Sequence, residues 1–233
     1  MQSRSAIVVA GGDGTLFHLL ARLPRPWPPI RIVPQGRGNA LARDVGAGRT
    51  ARVDALHVVA ARASGEGLDC ISLSSVGLGY PAEVTRRSRP FRFLRRLSYA
   101  AAALFTRPRL HRFTISLDGE PPRHAALRGV LVNNTRFTGG FEALPGACSG
   151  DGAAECLELT AGYFRQMAHN LSVITGLHCY APVRIRRIRS ARLLPAEPLE
   201  LMIDGELLGP VVEVRIRVMP VALEVEIAPA AGA

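Results

Sequence analysis

The chain reads as an α/β unit followed by a mainly β region, and three observations carry that reading. A short apolar run, Ile7-Val-Val-Ala10, enters the turn Gly11-Gly-Asp-Gly-Thr15, and Leu16-Phe17 and Leu19-Leu20 then follow at helical spacing. A second apolar run, Ile30–Val33, enters Pro34-Gln-Gly-Arg-Gly-Asn-Ala-Leu-Ala42, another glycine-containing turn that opens a helix. Beyond about Gly65 the pattern changes to short alternating strands. The expected division is therefore residues 1–65 and 66–233, with neither repeats nor a low-complexity linker between them.

Taken in order, Leu16–Leu23 is expected to be a short helix, ended by Pro24, Pro26, Pro28 and Pro29. Val53–Ala63 is expected to be helical, with Leu56, Val59 and Ala60 on one face. Strands are expected at Asp69–Val76, Phe113–Leu117, Ala126–Asn133, Glu155–Ala161, Val183–Leu194, Leu199–Ile203, Val211–Val218 and Leu223–Ile227. Two helices, Pro90–Phe105 and Phe164–Ile174, interrupt them. In the second, Met167, Leu171 and Ile174 are spaced like a buried stripe.

With 233 residues the chain can bury a substantial core, and 48% hydrophobic against 21% charged residues is the balance of a globular protein. The first residues lack a signal-peptide pattern, and no apolar run is long enough to cross a bilayer, so the expected location is the cytoplasm. Cys70, Cys148, Cys156 and Cys179 are scattered without metal-type spacing and read as reduced thiols. The six histidines form no metal-binding pattern. Net charge is +10, and all 29 basic residues are arginine. The absence of lysine excludes a Walker-type P-loop and a protein-kinase site, both of which place a lysine on the nucleotide phosphates.

The first turn carries the chemistry. Gly11, Gly12 and Gly14 let a ligand approach the main chain, and their N–H groups, with Thr15 and the helix start behind, suit a phosphate. Asp13 would repel that phosphate unless it held a Mg²⁺ or took a proton from an attacking hydroxyl. Gly36, Arg37, Gly38 and Asn39 of the second turn can converge on the same polyphosphate, Asn39 serving either as a ligand or as a helix cap. The chemistry suggested is phosphoryl transfer.

GGDGT followed by a strand and P-x-G-x-G-N-x-L-A resembles the diacylglycerol kinase catalytic-domain family, and the form GNALA is most similar to its sphingosine-kinase branch. Later blocks follow in the family's order: Ser75–Glu83, Leu131-Val-Asn133 with Gly139-Gly140 and Pro145-x-Ala147, Ile203-Asp-Gly-Glu206, and Val218-x-Pro220-x-Ala222-Leu223. The resemblance implies a nucleotide-binding α/β domain and a mainly antiparallel, β-sandwich-like lipid-substrate domain, whose last strands return to the first. It also implies ATP and Mg²⁺ as cofactors, with Asp13 on ATP-Mg²⁺ or the acceptor hydroxyl and Glu206 as general base. Asp151 aligns with a loop that binds a structural Mg²⁺ in the family through an aspartate and backbone carbonyls; an ordinary Asp-Gly turn is the alternative. Asp204-Gly-Glu206 also reads as a turn, as does Asp118-Gly-Glu120. The family's upstream Asn-Pro-x-Ser-Gly motif is expected to be missing, because Met1 stands only ten residues before Gly11, leaving the first domain incomplete. Arg37 stands where the family carries a small hydroxyl residue and places a bulky cation beside the phosphates.

From Arg86 to Arg112 there are nine arginines and no acid. Phe91, Leu94, Leu97, Ser98, Ala101, Leu104 and Phe105 share one helical face, with Arg89, Arg92, Arg95 and Arg96 opposite. The ordinary reading packs the apolar side on the core. A second places the segment on an anionic membrane as a peripheral contact. Nucleic acid has least support, since no binding motif accompanies the arginines. The expected activity is ATP-dependent phosphorylation of a diacylglycerol- or sphingoid-type hydroxyl. A catalytically impaired or regulatory lipid-binding module and an NAD kinase are the alternatives. Oligomeric state is left open.

Overall fold

The computed structural model describes residues 6–94, 97–177 and 183–229; Arg95, Arg96 and Cys179 lie outside these. Strand β1 (Ile7–Gly11) leads into helix α1 (Asp13–Leu20), and β2 (Ile30–Pro34) leads into α2 (Ala40–Val45). β1 and β2 pair in parallel, from Ile7 opposite Ile30 to Gly11 opposite Pro34, which sets their two turns side by side. Leu16, Leu20, Trp27, Ile30, Ile32 and Leu41 close the core of this α/β end.

The expected helix over 53–63 is instead part of a long strand, β3 (Thr50–Arg62). Leu56, Val58 and Ala60 alternate into the core while Val59 faces solvent, a period of two that the helical reading of Leu56, Val59 and Ala60 missed. Its backbone is satisfied on both sides, by β4 (Gly67–Ser72) and by β15 (Glu206–Ile227). The strand expected over 69–76 is broken by a turn into β4 and β5 (Ser75–Gly79). An unforeseen helix, α3 (Tyr80–Ser88), starts after Gly79, whose φ of +72° favours glycine. A short 3₁₀ segment (Arg89–Leu94) and α4 (Leu97–Phe105) follow where one continuous helix was expected.

The remaining strands are β6 (His111–Leu117), β7 (Arg123–Leu127), β8 (Gly129–Asn133), the small hairpin β9 (Phe137–Thr138) and β10 (Phe141–Glu142), and β11 (Ala154–Leu159). Helix α5 (Tyr163–Thr175) precedes β12 (Val183–Ile188), β13 (Ser190–Pro195) and β14 (Leu199–Ile203). The main path runs β12-β11-β8-β5-β14-β15-β13-β6-β7, and all pairings along it are antiparallel. This sheet curls over a core containing Leu78, Phe113, Ile115, Val132, Leu193 and Leu201. Asp118 and Gly119 form the turn between β6 and β7, as their sequence suggested.

β15 ties the two parts together. Its first half pairs with β14 and β13, while its end pairs in parallel with β2, so the closing strand does return to the α/β end. The sequence break between 218 and 223 is a bulge inside this strand rather than a loop. Val221 sits there at φ +51°, and its N–H donates to Oδ1 of the fully buried Asp54 at 2.8 Å. Oδ2 of Asp54 accepts the N–H of Gly152 at 2.6 Å. Replacing Asp54→Ala leaves both amides without this partner and is expected to lower the unfolding free energy by about 2–4 kcal/mol, measured by urea denaturation; a loss indistinguishable from zero would show the bulge to be held by other contacts.

Candidate active site

The two glycine turns touch. A Cβ on Gly36 would lie 2.5 Å from the Cα of Gly12, and one on Gly12 would lie 2.7 Å from the Cα of Gly36, so neither position admits a side chain without displacing backbone. The N–H of Gln35 donates to the carbonyl of Gly11 at 2.9 Å and closes the base of the paired turns. At Gly11 a Cβ would meet Oγ1 of Thr15 at 2.4 Å, and at Gly14 it would meet Oε1 of Glu206 at 2.7 Å. Glu206 therefore rests over Gly14, although 192 residues separate them in sequence.

Asp13 is the second link between the turns. Its Oδ2 accepts the N–H of Ala40 at 2.9 Å and its Oδ1 the N–H of Leu41 at 3.2 Å, so the side chain of one turn caps the helix that follows the other. Burial raises the pKa of this carboxyl, while the two amides pull it back down. Asn39 takes the left-handed conformation at φ +50°. Its amide accepts from the N–H of Gly36 at 2.8 Å and donates to the Gly36 carbonyl at 3.0 Å. Both ends of that side chain thus brace the turn, and no side-chain bond caps α2 from Asn39.

Arg37 points away from the turn to α4. Its guanidinium donates to Ser98 Oγ at 3.1 Å and to the Tyr99 hydroxyl at 3.3 Å, and lies 4.8 Å from the centre of the Tyr99 ring. The turn that follows β14 supplies the opposite wall. Asp204, at φ +49°, accepts from Ser72 Oγ at 2.7 Å and from the N–H groups of Leu73, Ser74 and Ser75 at 2.9–3.0 Å. This grip fastens the β14–β15 turn to the β4–β5 turn and aims Glu206 toward Gly14. Glu206 is 38% exposed, with the Arg89 guanidinium 3.9 Å away.

These elements surround a cavity of about 440 Å³. Its lining combines the polar glycine turns, Asp13, Asp204 and Glu206 with apolar walls that include Val84, Leu131, Leu157, Leu159 and Met202. Helices α4 and α5 cover it with Tyr99, Ala100, Ala103, Gln166, His169 and Asn170. Gln166 donates to Asn170 Oδ1 at 3.0 Å, and Asn170 donates to the Tyr80 hydroxyl at 2.7 Å and to the Ala103 carbonyl at 3.0 Å. The Tyr80 hydroxyl donates onward to the Ala103 carbonyl at 2.6 Å. Burial pushes the Tyr80 phenol up to about 12, so it stays protonated and can hold α3, α4 and α5 together.

The structure thus gathers Gly12, Asp13, Gly14, Thr15, Gly36, Arg37, Gly38 and Glu206 around one cavity, but not Asp151. Asp151 Oδ2 pairs with Arg187 at 2.8 Å and Oδ1 accepts the N–H of Ala153 at 3.2 Å, the contacts of a turn residue. Among the described residues no cluster of three or more His, Cys, Asp or Glu side chains could hold a metal ion. A Mg²⁺ bound with nucleotide phosphates needs only one or two carboxylates, and Asp13 in the glycine cradle fits that pattern. Sequence reasoning missed Tyr80, Tyr99, Gln166, His169 and Asn170. In α5 the buried side is Gln166, His169 and Ser172, while Leu171 of the expected stripe is exposed. The i, i+3, i+4 spacing of Gln166, His169 and Asn170 was the available signal.

This is the plan of a two-part kinase: a glycine-lined cradle on an α/β unit faces a β-sandwich-like domain across a shared cavity. Residues 1–71 match the family model of the diacylglycerol kinase catalytic domain, and residues 74–227 match that of the YegS C-terminal NAD kinase beta sandwich-like domain. The chain belongs to the diacylglycerol kinase-like family of lipid kinases. It is similar in fold to a crystal structure of a candidate diacylglycerol kinase from Bacillus anthracis str. Sterne, with a TM-score of 0.76 and 19% identity over 97% of this chain and 77% of that one. A second structure, of a diacylglycerol kinase from the same organism, has a TM-score of 0.74 at 20% identity over 97% and 78%. Yeast NADH kinase complexed with NADH is more distant, with a TM-score of 0.53 at 12% identity over 97% and 62%. No curated protein matches the chain.

Burial pushes the Asp204 carboxyl up to about 6 against the pull of its four donors, with the nearby Asp13 charge adding to the rise. An unfolded aspartate titrates near 4, so the folded state binds this proton more tightly. The stabilisation is complete below about pH 4 and lost as pH rises through about 6. Urea denaturation between pH 4 and 7 is expected to show wild type losing about 2–3 kcal/mol more than Asp204→Asn over that range; parallel pH profiles would remove this group as the cause.

Proposed function

We propose that this chain is an ATP-dependent kinase that transfers the γ-phosphate to the hydroxyl of a diacylglycerol- or sphingoid-type lipid. One observation carries the reading: a glycine-lined cradle, a half-exposed carboxylate and apolar walls share a single cavity. The amides of Gly14 and Gly38 would bind the nucleotide phosphates, within turns that Gly12 and Gly36 allow to close, without the lysine that other kinases use. Asp13 would hold Mg²⁺ together with those phosphates, and the ion would neutralise their charge. The apolar walls suit an acyl or sphingoid chain whose hydroxyl reaches toward Gly14. Glu206 accepts the proton of that hydroxyl as its oxygen bonds to the γ-phosphorus and the bond from phosphorus to the ADP oxygen breaks. Arg37, engaged by Tyr99, fastens the covering helix to the cradle and is not assigned to the phosphates.

The fold likeness to an NADH kinase makes NAD(H) the acceptor to be tested beside lipids. Transfer of ³²P from γ-labelled ATP is measured with micellar diacylglycerol, a sphingoid base and NAD(H). Label is expected on a lipid; label on the dinucleotide alone, or on no acceptor, would refute the lipid-kinase reading.

Glu206→Gln is expected to lower kcat by about 10²–10⁴-fold with little change in KM, and an unchanged kcat would remove Glu206 as the base. Asp13→Asn places an amide nitrogen against the N–H of Ala40 or Leu41 and is expected to abolish transfer; undiminished turnover would refute its role. Gly36→Ala is expected to weaken ATP binding about tenfold or more by pushing the two turns apart, read by equilibrium dialysis.

A further inference from the structure

The covering helices are turned inside out relative to the expectation from their sequence. In α4 the buried residues are Ser98, Ala100 and Ala102, whereas Leu97 and Phe105 face solvent. The preceding 3₁₀ segment exposes Phe91, Phe93 and Leu94, and α5 with its C-terminal extension exposes Phe164, Leu171 and Leu177. Phe93, Phe105, Phe164 and Leu177 are 77%, 76%, 83% and 74% exposed. These segments belong to one layer. The 3₁₀ segment packs on α4, and the end of α4 meets the start of α5, where the Tyr163 hydroxyl donates to the Leu104 carbonyl at 3.4 Å. The opposite sides of α4 and α5 line the cavity. Isolated exposed apolar residues are normal on a protein surface, but several phenylalanines gathered on one helical layer mark a surface that meets a partner.

Charge selects the partner. Nine arginines and no acid lie between Arg86 and Arg112. Arg86 and Arg87 pair with Glu83, and Arg89 approaches Glu206. Arg107, Arg109 and Arg112, which follow α4, are exposed, and none forms a salt bridge among the described residues. Arg107 lies 5.7 Å from the Tyr163 ring centre, so cationic and apolar groups meet at the junction of α4 and α5. Aromatic side chains beside unpaired arginines match the interface of an anionic bilayer, where rings enter the acyl boundary and guanidinium groups meet lipid phosphates. Among the described residues no helix is long and apolar enough to cross a membrane, so the contact would be peripheral.

We infer that the outer face of the 3₁₀ segment, α4 and α5 is a docking surface for anionic lipid bilayers, holding the wall of the acceptor cavity against the membrane. That its cargo is a lipid substrate rests on the kinase reading; the docking itself does not. The ordinary reading of this segment, apolar side on the core, is overturned by the exposure of Phe91, Leu97 and Phe105.

The test is co-sedimentation of the full chain, without nucleotide, with phosphatidylcholine vesicles and with vesicles containing phosphatidylglycerol. Binding is expected only to the anionic vesicles and is expected to weaken at high salt. Phe93→Ser, Phe105→Ser and Phe164→Ser are each expected to weaken it about tenfold or more. Each variant should keep the wild-type melting temperature, since none of the three side chains is buried or lines the cavity. Equal binding to both vesicle types, binding to neither, or variants that bind like wild type would overturn the inference. So would a dimer that the same substitutions convert to monomer, which would assign the face to a second copy of the chain. Phosphorylation of a short-chain, water-soluble acceptor tests the kinase reading separately. Wild-type turnover of that acceptor by the three variants, alongside lost vesicle binding, is the expected pair of results.

Discussion

Everything at the candidate site depends on the contact between Gly12 and Gly36. Two parallel strands deliver two turns to the same edge, but strands in a sheet stand about 4.8 Å apart, and only residues without side chains let the following loops close that gap. Asp13 then spans the join by accepting the first free amides of α2, which would otherwise need a partner of their own. Asn39, bonded at both ends of its amide to Gly36, holds the second turn in shape from within. The cradle is therefore one assembled object made from two short sequence motifs.

Glu206 reaches this cradle through the long closing strand. β15 pairs with β13 and β14 of the sandwich-like part, then bends at a bulge clamped by Asp54 and finishes beside β2. Its start is fixed equally firmly, because Asp204 gathers four donors from the β4–β5 turn. Glu206 stands two residues further on, over Gly14. A residue from the last strand and one from the first turn thus face the same space through backbone pairing and the two aspartate clamps. A flexible linker between independent halves would not hold a carboxylate there.

The helices over the cavity follow a different logic. Their buried sides carry Ser98, Gln166, His169 and Asn170; Gln166 donates to Asn170 and Asn170 donates to the Tyr80 hydroxyl. That arrangement leaves phenylalanine and leucine for the outside. In water such a layer is poorly placed; against a lipid surface the same side chains lose their exposure, and the adjoining arginines gain counter-charges.

Much of the α/β end was legible in the residues. Glycine spacing after an apolar run is local information, set by which backbone angles and close approaches a side chain forbids, so both turns, Asp13 and the helix starts could be placed without a fold. Glu206 was legible only through its order in a family pattern, because nothing near it in sequence distinguishes Asp204-Gly-Glu206 from Asp118-Gly-Glu120. The tertiary structure alone decided the rest. It made 53–62 a strand, since two neighbouring strands compete with helix for the same amides. It paired Asp151 with Arg187, and it engaged Arg37 with Tyr99. It also chose which side of α4 and α5 faces water, because periodicity marks a helix face but not the medium that the face will meet.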